Sequence, residues 1–178
     1  MHDVSPVEVL LQDHAAAREL LNALAADTTD LAPAEWATAP ERIGGRFAAL
    51  RDLLLLHFRR EEEAAYPDIM QMVSEGAPEA DIVAGFFRQE TDADLIAHAP
   101  LRGKMQVISQ MLADLRRGEG DLALLAQELG EEMECMRDLL NRHAEREETV
   151  IFPMIERLLS EEQLTAVRLR MDAIAPEA

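Results

Sequence analysis

The sequence has a single cysteine, Cys135, so no disulfide can close within the chain, and a reducing, cytoplasmic setting is expected. Aromatic residues make up only 4% of it, while Leu, Ala and Met are plentiful, a balance that favours helices over strands. Positive charge is scarce: 17 Lys and Arg stand against 35 Asp and Glu, for a net charge of -18. Such a surface repels phosphate backbones and anionic lipid, so neither nucleic acid nor a membrane is an expected partner. No uninterrupted apolar run approaches the ~20 residues that a membrane span needs. The opening MHDVSPVEVL has no basic stretch leading into an apolar one, so no secretory leader is expected.

What is present is a chain of 178 residues, 48% of them apolar, enough for one domain with a sizeable core. Ser5-Pro6-Val7-Glu8 reads as a helix start, with Ser at the N-cap, Pro at the first helical position and Glu reaching back. The apolar spacing Val7, Leu10, His14, Ala17, Leu21 carries that helix to about Ala26. A linker follows, with a short helical turn expected around Trp36. A second helix is predicted from about Pro40 to Ala65, with Leu50, Leu53, Leu54, His57 and Glu61 on one face. Pro67 is expected to stop or kink it, and Glu75 to Pro78 to form a turn. A third helix runs from about Glu79 to Arg117, ending at Gly118 and Gly120, with Leu95, His98, Leu101, Met105, Ile108 and Leu112 inward. Pro100 should kink or bulge it. A fourth runs from about Asp121 to Val150 with Met133, Met136, Leu140, His143 and Glu147 on one face. A capping box at Ser160 to Gln163 starts a short last helix. The predicted fold is all-α: an up-down-up-down four-helix bundle with a short extra C-terminal helix.

An internal repeat carries the chemistry. Arg51 to Ile69 reads RDLLLLHFRREEEAAYPDI, and Arg137 to Ile155 reads RDLLNRHAEREETVIFPMI. His14-Ala-Ala-Ala-Arg18 and His98-Ala-Pro-Leu-Arg102 echo each other more weakly. The order is thus a helix with His, a helix with His-x-x-x-Glu, and the same again. Residues four apart share a helix face, about 6 Å apart along the axis, so His57 with Glu61 and His143 with Glu147 can reach one cluster. Imidazole with carboxylate suits iron, manganese or zinc. A lone inward His is more often a hydrogen-bonded core residue, but here four inward histidines sit on four different helices. Two buried glutamates cost several kcal/mol each unless something offsets their charge, and bound cations are the simplest offset.

These residues resemble the hemerythrin-like (HHE cation-binding) family. The likeness rests on Asp13-His14, on His57 to Glu62 with Tyr66-Pro67, on His98, and on His143 to Glu148 with Phe152-Pro153. The resemblance implies a di-iron centre held by His14, His57, Glu61, His98, His143 and Glu147, with the two glutamates bridging. It pairs His14 with His57 on one iron and His98 with His143 on the other. Oxygen-carrying members have a His-x-x-x-His pair on the third helix. Here Asp94 stands four residues before His98, giving the four-His, two-Glu pattern of iron–sulfur cluster repair proteins and related sensors. Two His nitrogens, two carboxylate oxygens and an oxo or hydroxo bridge leave one open position per iron, open to O2, NO or peroxide. The functions left standing are a small-molecule sensor, detoxifier or redox-stress protein, a non-enzymatic iron-binding or iron-sensing module, and a metal-free interaction bundle.

The surrounding residues carry their own expectations. Glu62 and Glu148, rotated ~100° from the inward glutamates, should be solvated, with support of the metal ligands as the lesser alternative, and Arg18, Arg60, Arg102 and Arg146 should be surface charge, with the balancing of acidic residues as the alternative. Tyr66 should pack at a helix end. Cys135 should be a small buried hydrophobe.

Overall fold

A computed structural model of the chain describes residues 4–29, 39–74, 80–118 and 121–175. The expected turns at Trp36 and at Glu75 to Pro78, and Gly120, lie outside these. Helices account for nearly all the described residues, and no strand occurs among them. The helices are α1 (Pro6–Thr29), α2 (Ala39–Arg60), α3 (Tyr66–Ser74), α4 (Ala80–Arg117), α5 (Leu122–Arg146), α6 (Phe152–Leu158) and α7 (Glu161–Asp172). A π-helical turn, π1 (Glu61–Ala65), joins α2 to α3, and a second, π2 (Glu147–Ile151), joins α5 to α6. The bundle therefore has four long rods: α1, α2–π1–α3, α4 and α5–π2–α6. They form a ring in which α1 packs on α2, α2 on α4, α4 on α5 and α5 on α1. That is the up-down-up-down arrangement, with α7 as the extra short helix packed on α1 and π1.

The helix ends obey local rules. Ser5 Oγ accepts from the Glu8 N–H at 3.1 Å while Glu8 Oε2 accepts from the Ser5 N–H at 2.7 Å, the reciprocal cap that starts α1. Ser160 and Gln163 make the same cap for α7. Asp121 accepts from the N–H groups of Ala123 and Leu124 at the start of α5. Gly118, at φ 67°, ends α4 in the left-handed region that glycine enters without strain.

Pro67 and Pro153 do not stop their helices. A proline ring collides with the carbonyl four residues back and offers it no N–H. The chain answers by widening the preceding turn: Tyr66 N–H bonds the Glu61 carbonyl and Phe152 N–H bonds the Glu147 carbonyl, each five residues back. The Glu63 carbonyl, which Pro67 cannot serve, accepts from Arg170 of α7 at 3.5 Å. Helix α4, by contrast, runs unbroken past Pro100, so the bulges sit at residues 61–65 and 147–151 rather than there.

Two apolar clusters fill the ring. One holds Leu21, Ile43, Phe47, Leu50, Leu54, Phe58, Ile108, Leu129, Met136 and their neighbours. The other holds Val7, Leu10, Tyr66, Ile69, Phe87, Ile151, Phe152 and Val167. Along every rod the residues between the two clusters are polar and buried: His14 on α1, His57 and Glu61 on α2–π1, Asp94 and His98 on α4, His143 and Glu147 on α5–π2. The bundle is thus an apolar, polar, apolar stack with one ionisable layer across its middle.

Candidate metal centre

All six residues singled out by the repeat are buried, at 0–3% exposure, and all six meet in this layer. The two halves of the ring each bring two histidines close: His14 and His57 ring centroids lie 4.8 Å apart, and those of His98 and His143 lie 5.0 Å apart. Both glutamates reach across the halves. Glu61 Oε1 is 3.2 Å from His57 Nε2, and its Oε2 is 3.2 Å from His98 Nε2. Glu147 Oε2 is 2.8 Å from His14 Nε2, and its Oε1 is 3.7 Å from His143 Nε2. Each glutamate therefore lies between a histidine of one pair and a histidine of the other.

The outer face of each imidazole meets a carboxylate. Glu148 lies 2.9 Å from His14 Nδ1, Glu62 lies 2.7 Å from His98 Nδ1, and Asp94 lies 3.0 Å from His143 Nδ1. Asp13 stands 3.5 Å from His57 Nδ1, an ion-pair distance. A carboxylate only accepts, so at His14, His98 and His143 it fixes the ring proton on Nδ1 and leaves Nε2 as a lone pair aimed inward, whereas His57 Nδ1 has no hydrogen-bond partner. Such rings are oriented as metal-binding imidazoles are. The expectation that Glu62 and Glu148 are solvated is thus corrected. The π turn begins at the glutamate before each of them, and this local register, not the ideal α spacing, carries them onto the rings of His98 and His14. The arginines are corrected with them: Arg18 bonds Glu148, Arg60 bonds Asp13 and Arg102 bonds Glu62, each at 2.8 Å. Arg146 bonds Glu90 at 2.8 Å.

Tyr66 is more than a packing residue. Its hydroxyl lies 2.7 Å from Glu147 Oε1, 2.9 Å from Asp94 Oδ2 and 3.5 Å from Glu61 Oε1. One O–H proton cannot serve three carboxylates, so the other oxygens need another partner. Its repeat mate Phe152 stacks on His14 instead, at 5.6 Å. Cys135 departs from expectation: it is exposed on α5, because its position faces away from the stripe of Met133, Met136 and Leu140.

The charges in the layer point the same way. Burial raises the Glu61 carboxyl well above its usual range, and the Glu147 charge beside it adds to that. Burial opposes ionisation of Glu147 too, but hydrogen bonds from His14 and His57 outweigh it and hold that carboxyl low. Burial works against a charged His57, yet Asp13 and Glu147 bring its pKa up to about 9, the mark of a site whose field favours a cation. Burial lowers His98 to about 4, keeping it in the neutral form that a metal requires. Glu61 Oε2, Glu147 Oε2, His98 Nε2 and His143 Nε2 are buried with no hydrogen-bond partner. Leaving such groups unpaired costs about 1–3 kcal/mol each, and a coordinated cation would satisfy all of them. Two groups have ligand atoms mutually within 4.8 Å: Glu61, Asp94, His98, His143 and Glu147, and His14, His57 and Glu147. The donor set therefore fits metal ions.

A helical bundle with a buried His and Glu layer of this kind is a cation-binding bundle. The family model of the hemerythrin HHE cation-binding domain matches residues 5–155, and the chain belongs to that family. A search of curated proteins gives no match. No helix among the described residues is long and apolar enough to cross a membrane.

Asp94 is the residue of the layer that the sequence reading missed. Its only signal was its place one turn before His98 on the inward face of α4.

Proposed function

We propose that the chain is a non-haem di-iron protein, one cytoplasmic domain that binds O2, NO or peroxide for sensing, detoxification or the redox stress response. Its ligands are His14, His57, Glu61, His98, His143 and Glu147. The observation that carries this is the span of the two glutamates. Each gives one oxygen to each histidine pair, as a bridge between two metals must. The proximity of His14 to His57 and of His98 to His143 supports one pair per iron. Bound iron would supply the redox equivalents and the open positions for a small ligand.

The chain's own residues do the rest. Glu148, Glu62 and Asp94 hold the His14, His98 and His143 rings by hydrogen bonds, and Asp13 faces the His57 ring at 3.5 Å. The two apolar clusters above and below keep bulk water out of the layer. The burial of every ligand favours ligands of very few atoms over any organic substrate.

Metal analysis of the purified protein, followed by absorption spectra with and without O2 or NO, tests this. Two irons per chain and a gas-dependent spectrum are expected. Two irons with a spectrum indifferent to gas and peroxide would leave an iron storage or iron-sensing module. Stoichiometric metal that survives His57→Ala combined with His143→Ala would rule out the site.

A further inference from the structure

The four outer carboxylates are not alike. Asp13, Glu62 and Glu148 each bond an arginine, so their charges are offset. Asp94 is fully buried. Its partners are the His143 ring and the Tyr66 hydroxyl, and no arginine or lysine bonds it among the described residues. A hydroxyl donates one hydrogen bond and carries no charge, so it does not offset the Asp94 carboxylate as an arginine would.

The repeat shows how this arose. The mate of Asp13 is Ala97, and the mate of Asp94 is Leu10: in the α4–α5 half the acid sits about one turn earlier. The mate of Arg60 is Arg146, which bonds Glu90, a turn further along α4 from the layer. The acid has moved, and the arginine serves another partner.

Resting on the two-metal reading above, we propose that the two metal positions are unequal. The position faced by His98 and His143 takes its cation first and holds it more tightly, with Asp94 as the positioning residue responsible. Both positions have two imidazoles and share the same two glutamates, so the kinds of ligand do not separate them. The outer charges do. Beside His14 and His57, Glu148 offsets Arg18 and Asp13 offsets Arg60. Beside His98 and His143, Glu62 offsets Arg102 while Asp94 bonds only His143 and Tyr66, leaving one carboxylate charge with no cationic side chain bonded to it. In a buried layer that charge is poorly screened and favours a cation on its own side. It also makes His143 the more basic ligand through Nδ1.

The test is anaerobic titration of the metal-free protein with Mn2+, following free Mn2+ by electron paramagnetic resonance. Two binding steps are expected. His98→Ala should remove the tighter step, and His14→Ala should remove the weaker one. Asp94→Asn keeps size and shape and should weaken the tighter step by about 10–100-fold, the usual cost of losing an outer partner. Glu148→Gln, the matching change in the other half, should move only the weaker step. Thermal unfolding of each variant, with tight-step loss seen at an unchanged midpoint, separates the effect from misfolding. The inference is overturned if Asp94→Asn shifts both steps equally, or if the tighter step survives His98→Ala. Failure of the wild-type chain to bind any Mn2+ or Fe2+ would overturn the metal reading itself.

Discussion

In the α4–α5 half of the layer, His98 stacks on Phe58 with ring centroids 4.1 Å apart; in the α1–α2 half, His14 stacks on Phe152 at 5.6 Å. These rings are not repeat mates. The mate of Phe58 is Ala144, and the mate of Phe152 is Tyr66. Both halves thus hold the same ligands in the same register but wall them differently. The His14 and His57 side is bounded by an apolar ring and arginine-paired acids. The other side has Phe58 as its apolar ring and also faces a hydroxyl and an aspartate that bonds no arginine or lysine. Duplicated ligands fix what can be bound, and the unduplicated surroundings make the two positions different.

The largest expected effect concerns the glutamates. Glu147 belongs to both groups of ligand atoms, whereas Glu61 belongs to one. Glu147→Ala should lose all metal, and Glu61→Ala should retain part of it. Metal analysis of the two variants side by side decides; equal losses would erase the distinction. Stripping metal from the wild-type chain with a chelator should lower the thermal midpoint clearly. The expected loss is roughly 4 kcal/mol for conditions of thousandfold excess over the dissociation constant. An unchanged midpoint would mean that hydrogen bonds alone satisfy the layer.

The aromatic walls come next. Phe58 is fully buried against His57, His98 and His143. Phe58→Ala should cost about 3–5 kcal/mol in denaturant unfolding, and a cost below about 1 kcal/mol would show that the wall collapses freely. The smallest effect should come from making the halves alike. Phe152→Tyr adds a hydroxyl to a buried ring that belongs to the apolar cluster and stacks on His14. A buried unpaired hydroxyl there should cost about 1–3 kcal/mol. No loss would mean that the new hydroxyl finds a carboxylate as Tyr66 does.

Much of this was legible in the chain. Periodicity and caps gave the rods and their ends because they depend on residues a few positions apart, and the His-x-x-x-Glu repeat gave six residues that do meet. Where local reasoning went wrong, it assumed an ideal helix: Glu62 and Glu148 were turned to solvent by the ideal α spacing, and Pro67 was expected to stop or kink its helix. A proline's clash can instead be absorbed by a π turn, and whether it is depends on the packing that repays the weaker turn. Cys135 went wrong because a position a few residues from an inward stripe need not lie on it.

By itself, the sequence determined the all-helical class, the repeat and the ligand types, since each follows from short-range spacing and side-chain chemistry. The tertiary structure alone decided that Glu61 and Glu147 span both histidine pairs, that three arginines offset three outer acids, and that Asp94 is left with Tyr66. Apart from the His57–Glu61 and His143–Glu147 contacts within one rod, these join residues 28 to 133 positions apart, and no local pattern encodes which charge meets which partner. Packing four rods into one ring brings such residues together, and burial then makes each unpaired charge matter.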